Sequence, residues 1–407
     1  MEPSKPSLEL LRQLSDAHVL GALIDEPRLT RAQIAAATGL SKPTVGESVR
    51  RLVAGGAVRD TGEVTTGRGR AGTLYALAED LGVALAVSLA PDGVRAEAVD
   101  VRGVVVASSV SALSAPATPS VVEGALLAAV REVCGSVVGA ARLAVVSAAD
   151  PVDRHTGRLV HLPDAPFLVG ELSPVEVLAP LVLGAVVVDN DVNWAARAER
   201  AAAAGGADDF AYLYLDAGLG CALVADGQVL RGAGGLAGEV AHVVTVGAGG
   251  RAVTFTEVFA ELGLRQPGST AIDVAAVLTM LARSEGDGVA ALGLPEQPAG
   301  DDAGARAVPD RPVGDDAANA VLGQICDATA GVLAAIVALS DPAEVVVGGG
   351  WGSHPALVAE LGEAFGRMPR SIPVRVAAVV DQPSLTGARE EAVHLLRAWV
   401  TAGASPA

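Results

Sequence analysis

LSKPTVGESVRRLVAGGAV, residues 40–58, carries its own start and stop signals for a helix. Ser41 is a hydroxyl N-cap, and Pro43 sits in the first turn, where its missing N–H costs nothing. Gly55-Gly56 closes the segment. Val45, Val49, Leu52 and Val53 recur at i, i+4, i+7 and i+8, a stripe suited to a core. The other face offers Lys42, Thr44, Ser48 and Arg51 beside the Ser41 cap.

Upstream, TRAQIAAATG (30–39) reads as a short helix capped by Thr30 and ended by Gly39. Before it, residues 8–26 place Leu8, Leu11, Leu14, Val19, Leu20, Leu23 and Ile24 near a 3–4 spacing. Helix, short turn, capped helix is a helix-turn-helix, whose last helix would enter a DNA major groove by its N-terminal end. Downstream, AVRDTGEVTTGRGRAGTLYAL alternates as two strands around a basic glycine-rich tip, a wing. Arg68 and Arg70, spaced by Gly69, are slim enough for a minor groove, whose negative potential attracts arginine. Two loop arginines taken alone are explained equally by solubility. Glu47, near the outward face, either accepts from a cytosine amine or points away from phosphate.

Charge divides the chain the same way. Residues 1–77 hold ten Lys/Arg against eight Asp/Glu, whereas the remainder holds 19 against 39. A basic module on an acidic body places any nucleic-acid contact at the N-terminus, because the body repels a polyanion. At 407 residues and 51% hydrophobic, the chain has material for two or three domains. The polar N-terminus lacks a signal-peptide core, and uncharged runs are interrupted by Ser and Pro or too short for a membrane span. Cys134, Cys221 and Cys326 lie far apart and fit neither a disulfide framework nor a cysteine zinc motif. A soluble cytoplasmic protein is expected.

The body reads as two α/β lobes. Strands are expected within 82–107, 142–147 and 185–189, with helices near 119–140 and 173–181 covering them. A second lobe would start near 191, with strands near 210–216, 220–225 and 343–348. Residues 284–318, rich in Asp, Glu, Gly and Pro, read as a flexible acidic insertion. A helix near 319–339 is apolar enough to be central or to help form a dimer, and a last helix spans 384–401.

LSKPTVGESVRRLVAGGAV followed by Gly67-Arg68-Gly69-Arg70 resembles the winged helix-turn-helix of the ROK family (repressors, open reading frames and sugar kinases), whose usual wing tip is Gly-Gly-Arg-Pro. The resemblance runs through nearly the whole chain. It implies a winged helix-turn-helix domain over 1–78, then an actin-like, ribonuclease-H-type, two-lobed sugar-kinase fold: a first lobe over 79–190, onto which helix 384–401 packs back, and a second over 191–383. Two such lobes imply a ligand cleft.

Family kinases use an Asp-x-Gly-x-Thr phosphate turn, which falls here on Ser88, Ala90 and Asp92. Their Gly-Thr-Gly-x-Gly turn is here Asp216-Ala217-Gly218-Leu219-Gly220. Two unneutralised Asp in the path of a triphosphate disfavour it. A nucleotide-base turn, VVVGGG (345–350), is intact. The sugar site survives better. Asn190-Asp191-x-Asn193 resembles the Asn-Asp motif whose Asp takes the proton of the sugar hydroxyl, and Glu239, His242 and Glu257 match sugar-contacting positions. Taken singly, Asn190-Asp191 is as readily a strand-end turn, and His242 a satisfied core histidine. The family's Cys-x-Cys-Gly-x-x-Gly-Cys zinc element is replaced by VVTVGAGGRAVTF, so no metal is expected, and no ATP.

The resemblance therefore implies a DNA-binding regulator, a repressor, that reads a pseudo-palindromic operator as a homodimer or higher oligomer. It would respond to a sugar without kinase activity, with Asp191 as a vestigial base. Two alternatives stay open: an active ATP-dependent sugar kinase, and a regulator whose body is only a dimerisation scaffold.

Overall fold

The computed structural model describes residues 8–65, 72–113, 117–162, 171–203, 208–285 and 315–402. The chain divides into two compact units. One comprises Met1–His161, Leu168–Asp191 and Ser384–Ala407, and the other Leu162–Phe167 and Val192–Pro383.

The first unit begins with the winged-helix head: α1 (Leu8–Asp25), β1 (Leu29–Thr30), α2 (Arg31–Thr38), α3 (Lys42–Ala54), β2 (Val58–Val64) and β3 (Thr73–Leu77). The wing strands β2 and β3 pair antiparallel, and β1, absent from the sequence reading, adds to β3 as a third strand. On α1 the apolar stripe is buried only from Ser15 onward, through Val19, Leu20, Leu23 and Ile24. Leu8, Leu11 and Leu14, expected in that stripe, are exposed.

Behind the head lie β4 (Val83–Ala90), β5 (Gly93–Val99), β6 (Val105–Ala112), α4 (Pro119–Gly135), β7 (Ala141–Ala148), α5 (Pro174–Leu178) and β8 (Val186–Asn190). The strands form one sheet in the order β6-β5-β4-β7-β8, antiparallel across β4, β5 and β6 and parallel from β4 to β8. Central strands covered on both faces need continuous apolar runs. VALAVSLA and ARLAVVSA supply them, and every residue of β7 is buried.

The second unit contains most of α6 (Asp191–Ala202), then β9 (Phe210–Leu215), β10 (Leu219–Ala225), β11 (Gln228–Val229), β12 (Val244–Val246), β13 (Ala252–Thr254), α7 (Phe255–Glu261), α8 (Val274–Ser284), α9 (Asp316–Ser340), β14 (Glu344–Gly348), α10 (Pro355–Gly366) and β15 (Val374–Val376). Its five-stranded sheet runs β11-β10-β9-β14-β15, antiparallel over the first three and parallel over the last three. That repeats the topology of the first sheet, the internal duplication expected of an actin-like fold. The helix α9 is long and apolar enough to cross a membrane, but it lies in this unit's core, burying Leu322, Ile325, Val332, Leu333 and Val337.

Of the acidic stretch 284–318, residues 286–314 lie outside the described residues. Its ends are helical rather than part of a flexible insertion. Ser284 closes α8, and Asp315 caps α9 by accepting from the Ala317 amide at 2.9 Å.

The last helix, α11 (Pro383–Thr401), returns to the first unit and buries Leu385, Ala388, Ala392, Leu396 and Val400. Arg389 donates to both carboxylate oxygens of Glu97 on β5, at 2.7 and 3.2 Å.

Candidate functional site

In the head, local chemistry sets both helices of the helix-turn-helix. Thr30 Oγ1 accepts from the Gln33 amide at 3.3 Å while Gln33 Oε1 accepts from the Thr30 amide at 2.9 Å, a reciprocal capping box. Gly39 ends α2 in the left-handed region at φ 71°, which favours glycine. Ser41 Oγ accepts from the Thr44 amide at 3.3 Å and pairs with Thr44 Oγ1 at 2.8 Å, so the cap of α3 is closed.

The DNA-facing set changes accordingly. Ser41 and Lys42 are exposed and Thr44 is half-buried at the N-terminal end of α3, the positive end of the helix dipole. Ser48 has 0% exposure and packs in line with Val45, Val49 and Leu52. The buried stripe is thus i, i+3, i+4, i+7, and Val53, expected inside, is 39% exposed. Arg51 also turns inward. Its Nη2 and Nε donate to Asp16 of α1 at 2.7 and 3.2 Å, and Nη2 donates to Ser48 Oγ at 3.0 Å. The Asp16 bond holds the guanidinium's pKa above its ordinary value.

Ser48 and Arg51 are therefore a fixture between α1 and α3, not base readers. The outward cation that sequence reasoning missed is Arg50, exposed and paired with Glu47 at 3.3 Å. That pair also accounts for Glu47. The available signal was the i, i+3 spacing of Glu47 and Arg50 on the face opposite the buried stripe. Arg68 and Arg70 lie outside the described residues.

The two phosphate-turn positions differ in character. Ser88 and Ala90 end β4, paired in register with Arg95 and Gly93 of β5, so the hairpin turn runs through Pro91 and Asp92. In the second unit, Asp216 lies between β9 and β10 and is well compensated. Its Oδ1 accepts from the Ala217 amide at 2.7 Å, and its Oδ2 accepts from the Gly350 amide at 2.8 Å and the Tyr214 hydroxyl at 3.3 Å. Trp351 Nε1 donates to the Asp216 carbonyl at 2.9 Å. The expectation of an unneutralised Asp216 is corrected: its carboxylate occupies the amide donor of the 345–350 turn, as an anion bound there would.

The sugar-contact candidates divide between the units. Asn190 ends β8, and its Nδ2 donates to the Ala148 and Asp150 carbonyls at 3.4 and 3.3 Å. Asp191 opens α6, where the helix dipole favours a carboxylate. In the second unit Gly238 adopts φ 94°, and a Cβ there would stand 1.7 Å from the Cys221 carbonyl oxygen, so only glycine lets the chain turn into Glu239. Burial pushes the Glu239 carboxyl above the usual range, and the charge of His242 pulls it partway back. Glu257, in the first turn of α7, is half-exposed and pairs with Arg265 at 3.5 Å.

Where the family resemblance implies a zinc loop, β12 and β13 form an antiparallel hairpin. Thr245 Oγ1 donates to the Ala328 carbonyl of α9 at 2.7 Å. Glu261 of α7 accepts from the Ala248 amide at 2.9 Å and from Arg251 at 3.0 Å. The hairpin holds no cysteine, so its donor set does not fit zinc. Hydrogen bonds to neighbouring helices hold the loop.

The ROK family profile matches residues 96–262, and that of the MarR family matches residues 12–69. A glucokinase of Halalkalibacterium halodurans is 42% identical over 66 residues, a stretch that spans 16% of this chain and only 20% of that protein. Among solved structures, a ROK family transcriptional regulator, a homolog of the E. coli MLC protein, superposes with a TM-score of 0.62 at 15% identity, covering 97% of this chain and all of that one. A ROK family glucokinase from Streptomyces griseus, in complex with glucose and AMPPNP, gives 0.53 at 21% identity over 76% of this chain and 99% of its own. The similarity to the kinase covers about three quarters of this chain, and the similarity to the regulator covers nearly all of it. The profile matches thus place a ROK-like segment over residues 96–262 behind a MarR-like winged-helix segment over residues 12–69.

Proposed function

We propose that the chain is a DNA-binding transcriptional regulator, a repressor, whose ROK body responds to a sugar without phosphorylating it. The observation that carries this reading is the head: a doubly capped helix-turn-helix presenting Ser41, Lys42, Thr44 and Arg50 outward on α3, on a chain whose excess positive charge is confined to that module. One head spans about half an operator, so the functional unit is a homodimer or higher oligomer on a pseudo-palindrome. The exposed Leu8, Leu11 and Leu14 of α1 are apolar surface that a second copy would cover.

Binding of the full chain to duplex DNA is expected to weaken steeply between about 50 and 200 mM salt, and Lys42→Ala or Arg70→Ala to reduce that slope by about one. Affinity independent of salt, or unchanged in both variants, would remove the assigned interface. Arg68 is expected to act with Arg70 in the minor groove.

The polyol effector is assigned to Asn190, Asp191, Glu239, His242 and Glu257, whose carboxylates and amides suit adjacent hydroxyls. The supporting observation is that Glu239 is a desolvated carboxyl placed by an obligatory glycine. Free sugars are expected to raise the Tm of the wild-type chain and not that of Asp191→Asn, with DNA affinity unchanged in the variant. No resident metal is required, so EDTA should leave the Tm in place. A sugar response that survives Asp191→Asn would refute the assignment. Loss of kinase activity rests on the occupied Gly350 amide and on the altered Ser88 and Asp92 turn.

A further inference from the structure

Within the first unit, where the head meets the five-stranded sheet, the chain leaves a crevice of about 540 Å³, a volume in the range of small-molecule sites. Its floor is apolar, built from Leu77 of β3, Val83 of β4 and Val101 beyond β5, all buried. Its rim holds three guanidiniums: Arg28 after α1, Arg59 on β2 and Arg102 in the β5–β6 turn.

Among the described residues, none of the three has all of its N–H donors paired. Arg28 gives only Nη1, to Glu63 at 2.8 and 2.7 Å. Arg59 gives only Nη2, to Glu79 at 2.8 Å. Arg102 gives only Nη2, to the Leu23 carbonyl at 2.8 Å, one of the last carbonyls of α1. Among the described residues, Arg59 Nε and Arg102 Nε are buried without an acceptor. Unmade donors of this kind are rare in folded chains and call for an explanation. Two carboxylates share the rim, and both are already engaged. Glu79 takes Arg59, and Asp100 Oδ1 accepts the amides of Arg102 and Val104, each at 2.9 Å.

We propose that this crevice is a binding site for a small organic anion, a carboxylate or phosphate monoester on an apolar body. The planar forks of Arg59 and Arg102 match oxyanion geometry, and the apolar body lies on Leu77, Val83 and Val101. The site is separate from the sugar-contact residues and does not depend on them. It also adjoins the contact that ties head to lobe. Arg102 holds α1, the Val101 carbonyl in the same turn accepts from Arg397 of α11 at 2.9 Å, and α1 holds α3 through Asp16 and Arg51.

Calorimetric titration of the full chain with phenyl phosphate, benzoate and uncharged benzyl alcohol tests the assignment. Either anion should bind with a Kd below about 1 mM and at least about tenfold more tightly than benzyl alcohol, and the tighter of the two identifies the head group. Arg59→Gln, which removes a fork from a half-exposed ion pair without touching the head–lobe bond, should weaken binding about tenfold or more. Arg102→Gln should do the same. Asp191→Asn should bind both anions as the wild type does, which separates this site from the sugar reading. No binding of either anion, equal binding of benzyl alcohol, or unchanged affinity in Arg59→Gln would overturn the proposal.

Discussion

Arg51→Ala is expected to remove about 2–3 kcal/mol from the winged-helix head and to weaken DNA binding by more than about tenfold, although Arg51 does not face DNA. Arg51 forms a two-pronged bond to Asp16 and a third bond to the fully buried Ser48. Deleting the guanidinium leaves a mostly buried carboxylate and a buried hydroxyl without their donor. The penalty is therefore set by stranded polar groups and exceeds the net worth of a surface ion pair. The angle of α3 to α1 depends on the same contact, so loss of stability and loss of affinity should arrive together. Hydrogen exchange of the α3 amides reads the first, and anisotropy with duplex DNA reads the second. If Arg51→Ala weakened DNA binding with α3 protection intact, Arg51 would be a direct DNA contact after all, as the sequence pattern suggested.

Asp216→Ala should have the second large effect, a loss of about 2–4 kcal/mol from the second unit. The Asp216 carboxylate accepts from two backbone amides and a hydroxyl, and so ties the β9–β10 turn to the glycine turn after β14. Bonds to a charged acceptor are the stronger kind, and the Gly350 amide loses its Asp216 acceptor in the variant. Because an anion seat is vacated, inorganic phosphate or Mg-AMPPNP should recover part of the lost Tm in Asp216→Ala while leaving the wild type unmoved. Stabilisation of the wild-type chain by Mg-AMPPNP would contradict this and restore the turn as a nucleotide seat.

The contrast between these two sites explains how much the sequence could disclose. Capping is local chemistry, so Thr30, Gly39, Ser41 and Pro43 could be read directly and stand where expected. Central strands declare themselves as apolar runs, which is why β7, β9 and β14 were legible within a residue or two.

Periodicity was less decisive on α3. A serine at a core position reads as polar and a valine as apolar, so Ser48 and Val53 were assigned to each other's faces. The same limit applies to α1, where Leu8, Leu11 and Leu14 continue a pattern beyond the surface that α1 covers. The bond from Asp216 to Gly350 spans 134 positions and leaves no local signal. For the β12–β13 hairpin, the missing cysteines marked the loss of the zinc motif but gave no hint of Thr245 and Glu261 as its fastenings.

Selection of duplex DNA from a random-sequence pool by the 407-residue chain, run beside an assay for ATP-dependent glucose phosphorylation, would settle whether the ROK-like body serves a DNA-binding head. The expected result is enrichment of one pseudo-palindromic sequence with half-sites about one helical turn apart, lost in Lys42→Ala, and no phosphorylation. Failure to enrich any sequence, together with turnover of ATP and sugar, would contradict the regulator reading and make the chain a kinase with an appended winged helix.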